Sequence, residues 1–330
     1  MNPKALYPLR FEPIYQYRLW GGRRLTELLA APLPGNGPIG EAWVLSDRED
    51  HPSRVANGPL KGRTIAQLID EFPEQLMGVL ARRFRRFPLL LKFLDVHEML
   101  SVQVHPADDR ADLLPPGETG KTEAWVVLEA AAASRIYAGM KPGTTAAELR
   151  QSLSDGTIDD RLARISPKIG DTIFIPAGTV HSLGGDVMVF EIQENSDVTF
   201  RLYDWGHIDP KTGESRPLQV KQAMASIDYG NNTSGLVTPF VEATVPNCRE
   251  RVFNDKHFLL WRLRGQSPFS VGAPAAPRVL VCLQGVGQIE YDGGRYPVGG
   301  GEVWLLPAVV GISTFRPLDP VTLLEIAIPD

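Results

Sequence analysis

Breaks fall so often along this chain that few long elements fit between them. Twenty-eight prolines and thirty-one glycines are spread over 330 residues. Each proline fixes φ and removes a backbone donor, and each glycine opens turn conformations closed to other residues. The stretches between suit many short strands joined by turns rather than long helices. The apolar runs agree. Phe87 to Leu94 and Ser101 to Pro106 read as core strands, and Gly40 to Ser46 as a strand with Trp43 and Leu45 on one face. Glu123 to Leu128, Thr172 to Ile175, Val187 to Gln193 and Val198 to Tyr203 read as further strands. Helices are few. Thr64 to Glu71 has Thr64 at the N-cap and Ile65, Leu68 and Ile69 on one face, and Thr144 to Gln151 forms a second, capped by Thr144 or Thr145.

The length allows two domains of ordinary size. A net charge of −5 and a pI near 5.8 argue against a nucleic-acid-binding surface. The one basic cluster, Ala81 to Phe87, is short and reads as a solvated face beside the next strand. Cys248 and Cys282 lack paired spacing and read as thiols in a reducing compartment. The opening MNPKALYPLRFEP has no apolar signal-type stretch, and no run approaches the roughly 18 apolar residues of a membrane span. A cytoplasmic protein with no membrane or nucleic-acid partner is expected.

Gln103 and His105 are two apart on an expected strand and so point the same way. An amide and an imidazole facing an apolar interior need a partner, and a metal ion suits both. Gly120-Lys121-Thr122-Glu123 and Gly178-Thr179-Val180-His181 supply two more donors. Gln103, His105, Glu123 and His181 make a two-nitrogen, two-oxygen set for a divalent first-row metal, zinc first.

Gly170, Pro176, Gly178 and His181 follow the second motif of the cupin superfamily: glycine, five residues, Pro-x-Gly, two residues, histidine. Gly301 to Pro307 repeats the spacing of Gly170 to Pro176, and Val279 to Leu283 parallels Trp125 to Leu128. In the second copy Ile312 stands where His181 would, and roughly Arg278 where Glu123 would. The expected fold is therefore mainly β, two cupin (jelly-roll) barrels with a few short helices. Residues 1–235 form the metal-bearing domain and 236–330 a barrel without ligands, joined through Gly230 to Gly235.

Gln-x-His-Pro in place of the commoner His-x-His, a distant Gly-Lys-Thr-Glu, and Gln193 to Gly206 together resemble type I mannose-6-phosphate isomerases, in particular their shorter bacterial branch. The resemblance spans nearly the whole chain, including Trp20-Gly21-Gly22 and Gly40-Glu41-Ala42-Trp43. It implies one zinc ion on Gln103, His105, Glu123 and His181, active-site lysines at Lys92 and Lys121, an arginine at Arg201 and a carboxylate at Glu191. It also implies a sugar-phosphate substrate and an enzyme that is a monomer or homodimer. His207 departs from it, since the short branch commonly has arginine after Tyr-Asp-Trp-Gly.

An aldose–ketose isomerase moves a proton between C2 and C1 through an enediol. Glu191, a histidine or a lysine of lowered pKa could each be the base, and Arg201 suits an enediolate oxygen or a 6-phosphate. Structural readings stand beside these: Lys92 in a salt bridge, Arg201 paired with Glu191 or Asp204, Glu191 orienting a ligand, Trp20 and Trp43 as packing. His51, His97, His207 and His257 read as ordinary polar residues. Two other functions fit the same residues: an Fe(II) cupin oxygenase on His105, His181 and Glu123, or a sugar-binding module without turnover.

Overall fold

The computed structural model describes residues 6–230 and 234–330, so residues 231–233 of the expected connector lie outside it. Two antiparallel sandwiches follow one another. In the first, a seven-stranded sheet runs in the order 235–236, Thr172–Ile175, Glu123–Ala130, Val187–Glu194, Leu89–Val96, Ile39–Leu45, Ile14–Tyr17. It faces a five-stranded sheet ordered Leu162–Ile165, Arg135–Met140, His181–Gly184, Val102–Val104, Phe200–Tyr203. In the second, a seven-stranded sheet that includes Arg278–Gln284, Val303–Leu306 and Val321–Ala327 faces a four-stranded one.

The two large sheets pack face to face. Leu91, Phe93, Val126 and Phe190 from one share a core with Leu260, Val279, Leu305 and Leu324 from the other. Leu94, Trp125, Val127 and Val189 turn instead into the lumen of the first sandwich. A sheet covered on both faces reads as continuous apolar sequence, which is why Leu89–Val96 shows no alternation. Leu9–Arg10 pairs with Val303–Leu306, and Gly235–Leu236 with Thr172–Ile175. The repeat is reproduced in the pairing: Thr172–Ile175 lies against Glu123–Ala130 as Val303–Leu306 lies against Arg278–Gln284. Ile312 is exposed.

Both expected helices form. Ile65–Glu71 begins with a reciprocal Thr64–Gln67 capping box, and Ala146–Asp155 with one between Thr145 and Glu148. Two expectations shift. The strand at 101–106 is shorter, Val102–Val104, because Pro106 cannot donate to a ladder. Trp43 and Leu45 do not share a face. Trp43 pairs with Lys92 and Leu45 with Leu91, and this irregularity turns Leu45 into the core between the sandwiches.

Trp20-Gly21-Gly22 and Gly40-Glu41-Ala42-Trp43 lie against each other. A Cβ on Gly21 would overlap the backbone of Gly40, and a Cβ on Gly40 would overlap the Trp20 ring. Among the described residues no helix is long and apolar enough to cross a membrane.

Candidate active site

His181 opens its strand directly opposite Gln103, and Arg201 pairs with Gln103 from the other side. Behind His181, Gly178 turns the chain at φ 85°, a left-handed conformation that favours glycine. The Gly178 N–H donates to the carbonyl of His105 at 2.8 Å, so two histidine-bearing segments are tied to each other. From the facing sheet come Glu123, paired with Ile175 and Gln193, and Lys92, paired with Glu191.

His105, Glu123 and His181 bring their donor atoms within 4.8 Å of one another, all buried. Each imidazole donates its Nδ1 hydrogen to a carbonyl, His105 to Val198 at 2.8 Å and His181 to Thr179 at 2.9 Å. Both Nε2 lone pairs are thereby left facing Glu123, at 3.4 Å and 3.3 Å. Burial, helped by the Lys121 ammonium, holds His105 down to about 3, and burial likewise lowers His181. Both are therefore neutral bases. Burial alone would raise Glu123, but the Lys121 ammonium beside it holds it well below the usual carboxylate range. Neither of its oxygens receives a hydrogen bond, although the Lys121 Nζ stands 2.9 Å from Oε2. Orphaned carboxylate oxygens facing two imidazole lone pairs form a donor set that fits a divalent cation. The Gln103 amide lies beside them, its Nε2 3.2 Å from His181 Nε2 and its Oε1 accepting from Ser101. A half-turn of the amide brings its oxygen to the metal side, and the Ser101 hydroxyl can then accept instead of donate.

Above this floor opens a cavity of about 320 Å³, lined by Gln103, Lys92, Lys121, Glu191, Arg201 and further polar residues. All eight residues singled out from the sequence thus gather at one place. Lys92 is flanked by Glu191 at 3.4 Å and by Glu41 and Asp197 at 3.9 Å, and sits over the Trp43 ring. Glu191 accepts from Trp125 Nε1 at 2.9 Å. Burial and then the charge on Glu123 push its carboxyl upward. Arg201 pairs with neither Glu191 nor Asp204. Among the described residues its guanidinium makes no ion pair, and its buried Nε has no hydrogen-bond partner. Asp204 is taken by Arg216, and His207 lies 3.2 Å from Glu98 outside the cavity lining.

Several cavity residues escaped the sequence reading. Arg18 holds Glu41 in a two-pronged pair at 2.7 and 3.1 Å. Against burial, Arg18 and Lys92 bring Glu41 down to about 2. Glu41 and Asp197 lay within motifs that carried the resemblance, but Arg18, Asp209 and Arg216 carried no local signal. A larger cleft of about 880 Å³ at the edge of the second sandwich is lined mainly by apolar and aromatic groups such as Tyr7, Tyr291, Tyr296 and Trp304. The titratable, convergent groups are in the smaller cavity.

Fold and site together define a mainly β protein of two sandwiches, consistent with the cupin fold, whose first sandwich carries a buried His/Glu/His cluster compatible with a metal ion. A sequence profile described as phosphomannose isomerase type I, catalytic domain, matches residues 9–121. Mannose-6-phosphate isomerase ManA of Bacillus subtilis is 38% identical over 317 residues, 94% of this chain and 95% of that protein. The probable mannose-6-phosphate isomerase GmuF of the same organism is 34% identical, covering 94% and 96%. A crystal structure of the mannose 6-phosphate isomerase from Bacillus subtilis superposes with a TM-score of 0.89 at 29% identity, over 98% of this chain and 100% of that one. Phosphomannose isomerase from Salmonella typhimurium, at 16% identity and a TM-score of 0.75, shares the fold. The chain belongs to the type I mannose-6-phosphate isomerase family and is an enzyme of that isomerase class.

Proposed function

We propose that the chain interconverts mannose 6-phosphate and fructose 6-phosphate through an enediol, with one zinc ion on Gln103, His105, Glu123 and His181. The observation that carries this reading is the buried Glu123 carboxylate, paired with Lys121 alone and facing two imidazole lone pairs beneath a polar cavity. When bound, the metal supplies a Lewis acid for the sugar oxygens.

The chain's own groups divide the remaining work. Glu191 takes the proton from C2 and returns it to C1, while the hydroxyl proton passes from O2 to O1. Its raised carboxyl suits a base near neutrality better than Glu41, which Arg18 holds ionised. Lys92, 3.4 Å from Glu191, keeps that carboxylate oriented. Lys121 remains an ammonium, because Glu123, Glu191 and Asp197 outweigh its burial. It donates to the oxygen on which charge develops. Arg201, free of an internal ion pair, offers its fork of donors to the 6-phosphate. In this reading residues 1–235 form the catalytic domain and 236–330 a metal-free barrel, and the enzyme works in the cytoplasm as a monomer or homodimer.

A coupled assay over phosphorylated and free sugars with zinc, manganese and cobalt tests the proposal. Conversion of mannose 6-phosphate is expected with the metal, and His181→Ala loses metal and turnover together. Full turnover by metal-free protein would remove zinc from the reading. Oxygen uptake without isomerisation would favour the oxygenase instead.

A further inference from the structure

A second set of metal-ligating side chains lies behind the catalytic segment, at the junction of the two sandwiches. Asp108, Glu194 and His257 bring one donor atom each within 4.8 Å of one another. They come from three separate pieces of chain: the loop after His105, the end of Val187–Glu194, and the turn before Leu259–Gly265. The His257 Nδ1 lies 3.0 Å from Glu194 Oε1. Among the described residues neither carboxylate is paired with a lysine or arginine. Among the described residues Glu194, nearly buried, has His257 as its one ion-pair partner, and Asp108 stands beside them with no ion pair of its own. With its imidazole neutral, such a site offers one nitrogen and two oxygens, the donor types that zinc takes with water completing the shell.

The position gives the cluster a consequence. Asp108 Oδ1 accepts from the Gly120 N–H at 2.8 Å, and Glu194 Oε2 from the Thr122 N–H at 2.7 Å. Residues 120 and 122 are thus held from behind, while Lys121 lines the cavity and Glu123 meets the imidazoles beneath it. We infer that Asp108, Glu194 and His257 form a second zinc site, distinct from the catalytic cluster, that pins the second barrel to the segment carrying Lys121 and Glu123. Asp108 is exposed, so this site is the weaker of the two.

The test counts bound zinc by mass spectrometry after equilibrium dialysis of the whole chain against rising zinc chloride. Wild type is expected to take up one equivalent and then a second, weaker one, and the second step raises the unfolding midpoint. His257→Ala and Asp108→Asn should each lose only the second equivalent, with turnover retained at low zinc. His181→Ala should lose only the first. Asp108→Asn changes an exposed side chain without changing its size, so the test survives if His257→Ala folds poorly. A single equivalent in wild type at saturation that His181→Ala abolishes overturns the inference and leaves His257 as an imidazole clasp. So does a second equivalent that persists in both variants. A single equivalent that His181→Ala keeps and His257→Ala loses would count against the catalytic assignment without touching this one.

Discussion

Glu123 and Glu191 show how little residue type says about role. Both are buried carboxylates on neighbouring strands, yet their surroundings drive them apart, Glu123 held down by the Lys121 ammonium and Glu191 pushed up by burial and by Glu123. Glu191→Gln should lower kcat by about 10²- to 10⁴-fold while metal content stays at the wild-type level. A loss of less than tenfold would make Glu191 an orienting group only. Asp47 gives a prediction of opposite kind. It is 1% exposed and accepts from the Phe87 N–H, and burial pushes it to about 6 from 3.8. Its folded form binds a proton that the unfolded chain has released, so its stabilising share is full below pH 4 and disappears as pH rises through 6. Asp47→Asn should gain about 2–3 kcal/mol over wild type at pH 8 and almost nothing at pH 4 in urea unfolding. Equal differences at both pH values would dismiss the cause. His105 and His181 were legible because strand alternation and the Pro-x-Gly turn are local. Arg18 and Arg216 were not, since an arginine that pairs across the fold resembles any other.

At the scale of elements, the site depends on how closely three segments approach. Gly21 and Gly40 touch backbone to backbone, and Gly22 donates its N–H to the Asp95 carbonyl at 3.2 Å. Gly21 has an ordinary φ, so the constraint is purely one of space. Gly21→Ala forces the Ile39–Leu45 strand outward, at a cost of about 1–3 kcal/mol. Glu41 on that strand moves with it, taking Arg18 and Lys92 out of register. Calorimetry should show a lower unfolding midpoint, and kcat should fall at 25 °C. An alanine variant with wild-type stability and rate would show that the contact is slack. The irregularity between Trp43 and Leu45 belongs here too. A period-two reading cannot foresee an irregular rung, because the same residues in a regular strand would look identical in sequence.

On the scale of the whole molecule, the two large sheets share one core, with the Phe174, Phe253 and Phe258 rings packed at the seam. Arg262 bridges the same seam, donating to the Gly170 carbonyl at 2.7 Å and pairing with Glu250 at 2.7 Å. Each large apolar side chain exposed by removing the second barrel costs about 1.5–3 kcal/mol, and several together exceed a stability of about 5–15 kcal/mol. Residues 1–235 expressed alone should therefore show no cooperative thermal transition and retain no metal. A fragment that unfolds cooperatively and turns over would make the second barrel dispensable. The sequence by itself determined most of the strands, the turn that aims His181, the choice of Gln103, His105, Glu123 and His181 as residues that meet beneath the cavity, and the family, because each rests on spacing along the chain. Only the tertiary structure decided which face of Leu89–Val96 holds Lys92, which acids are held ionised, and that the sandwiches share a core. Those outcomes depend on partners far away in sequence, whose burial and charge act through space and leave no mark in local pattern.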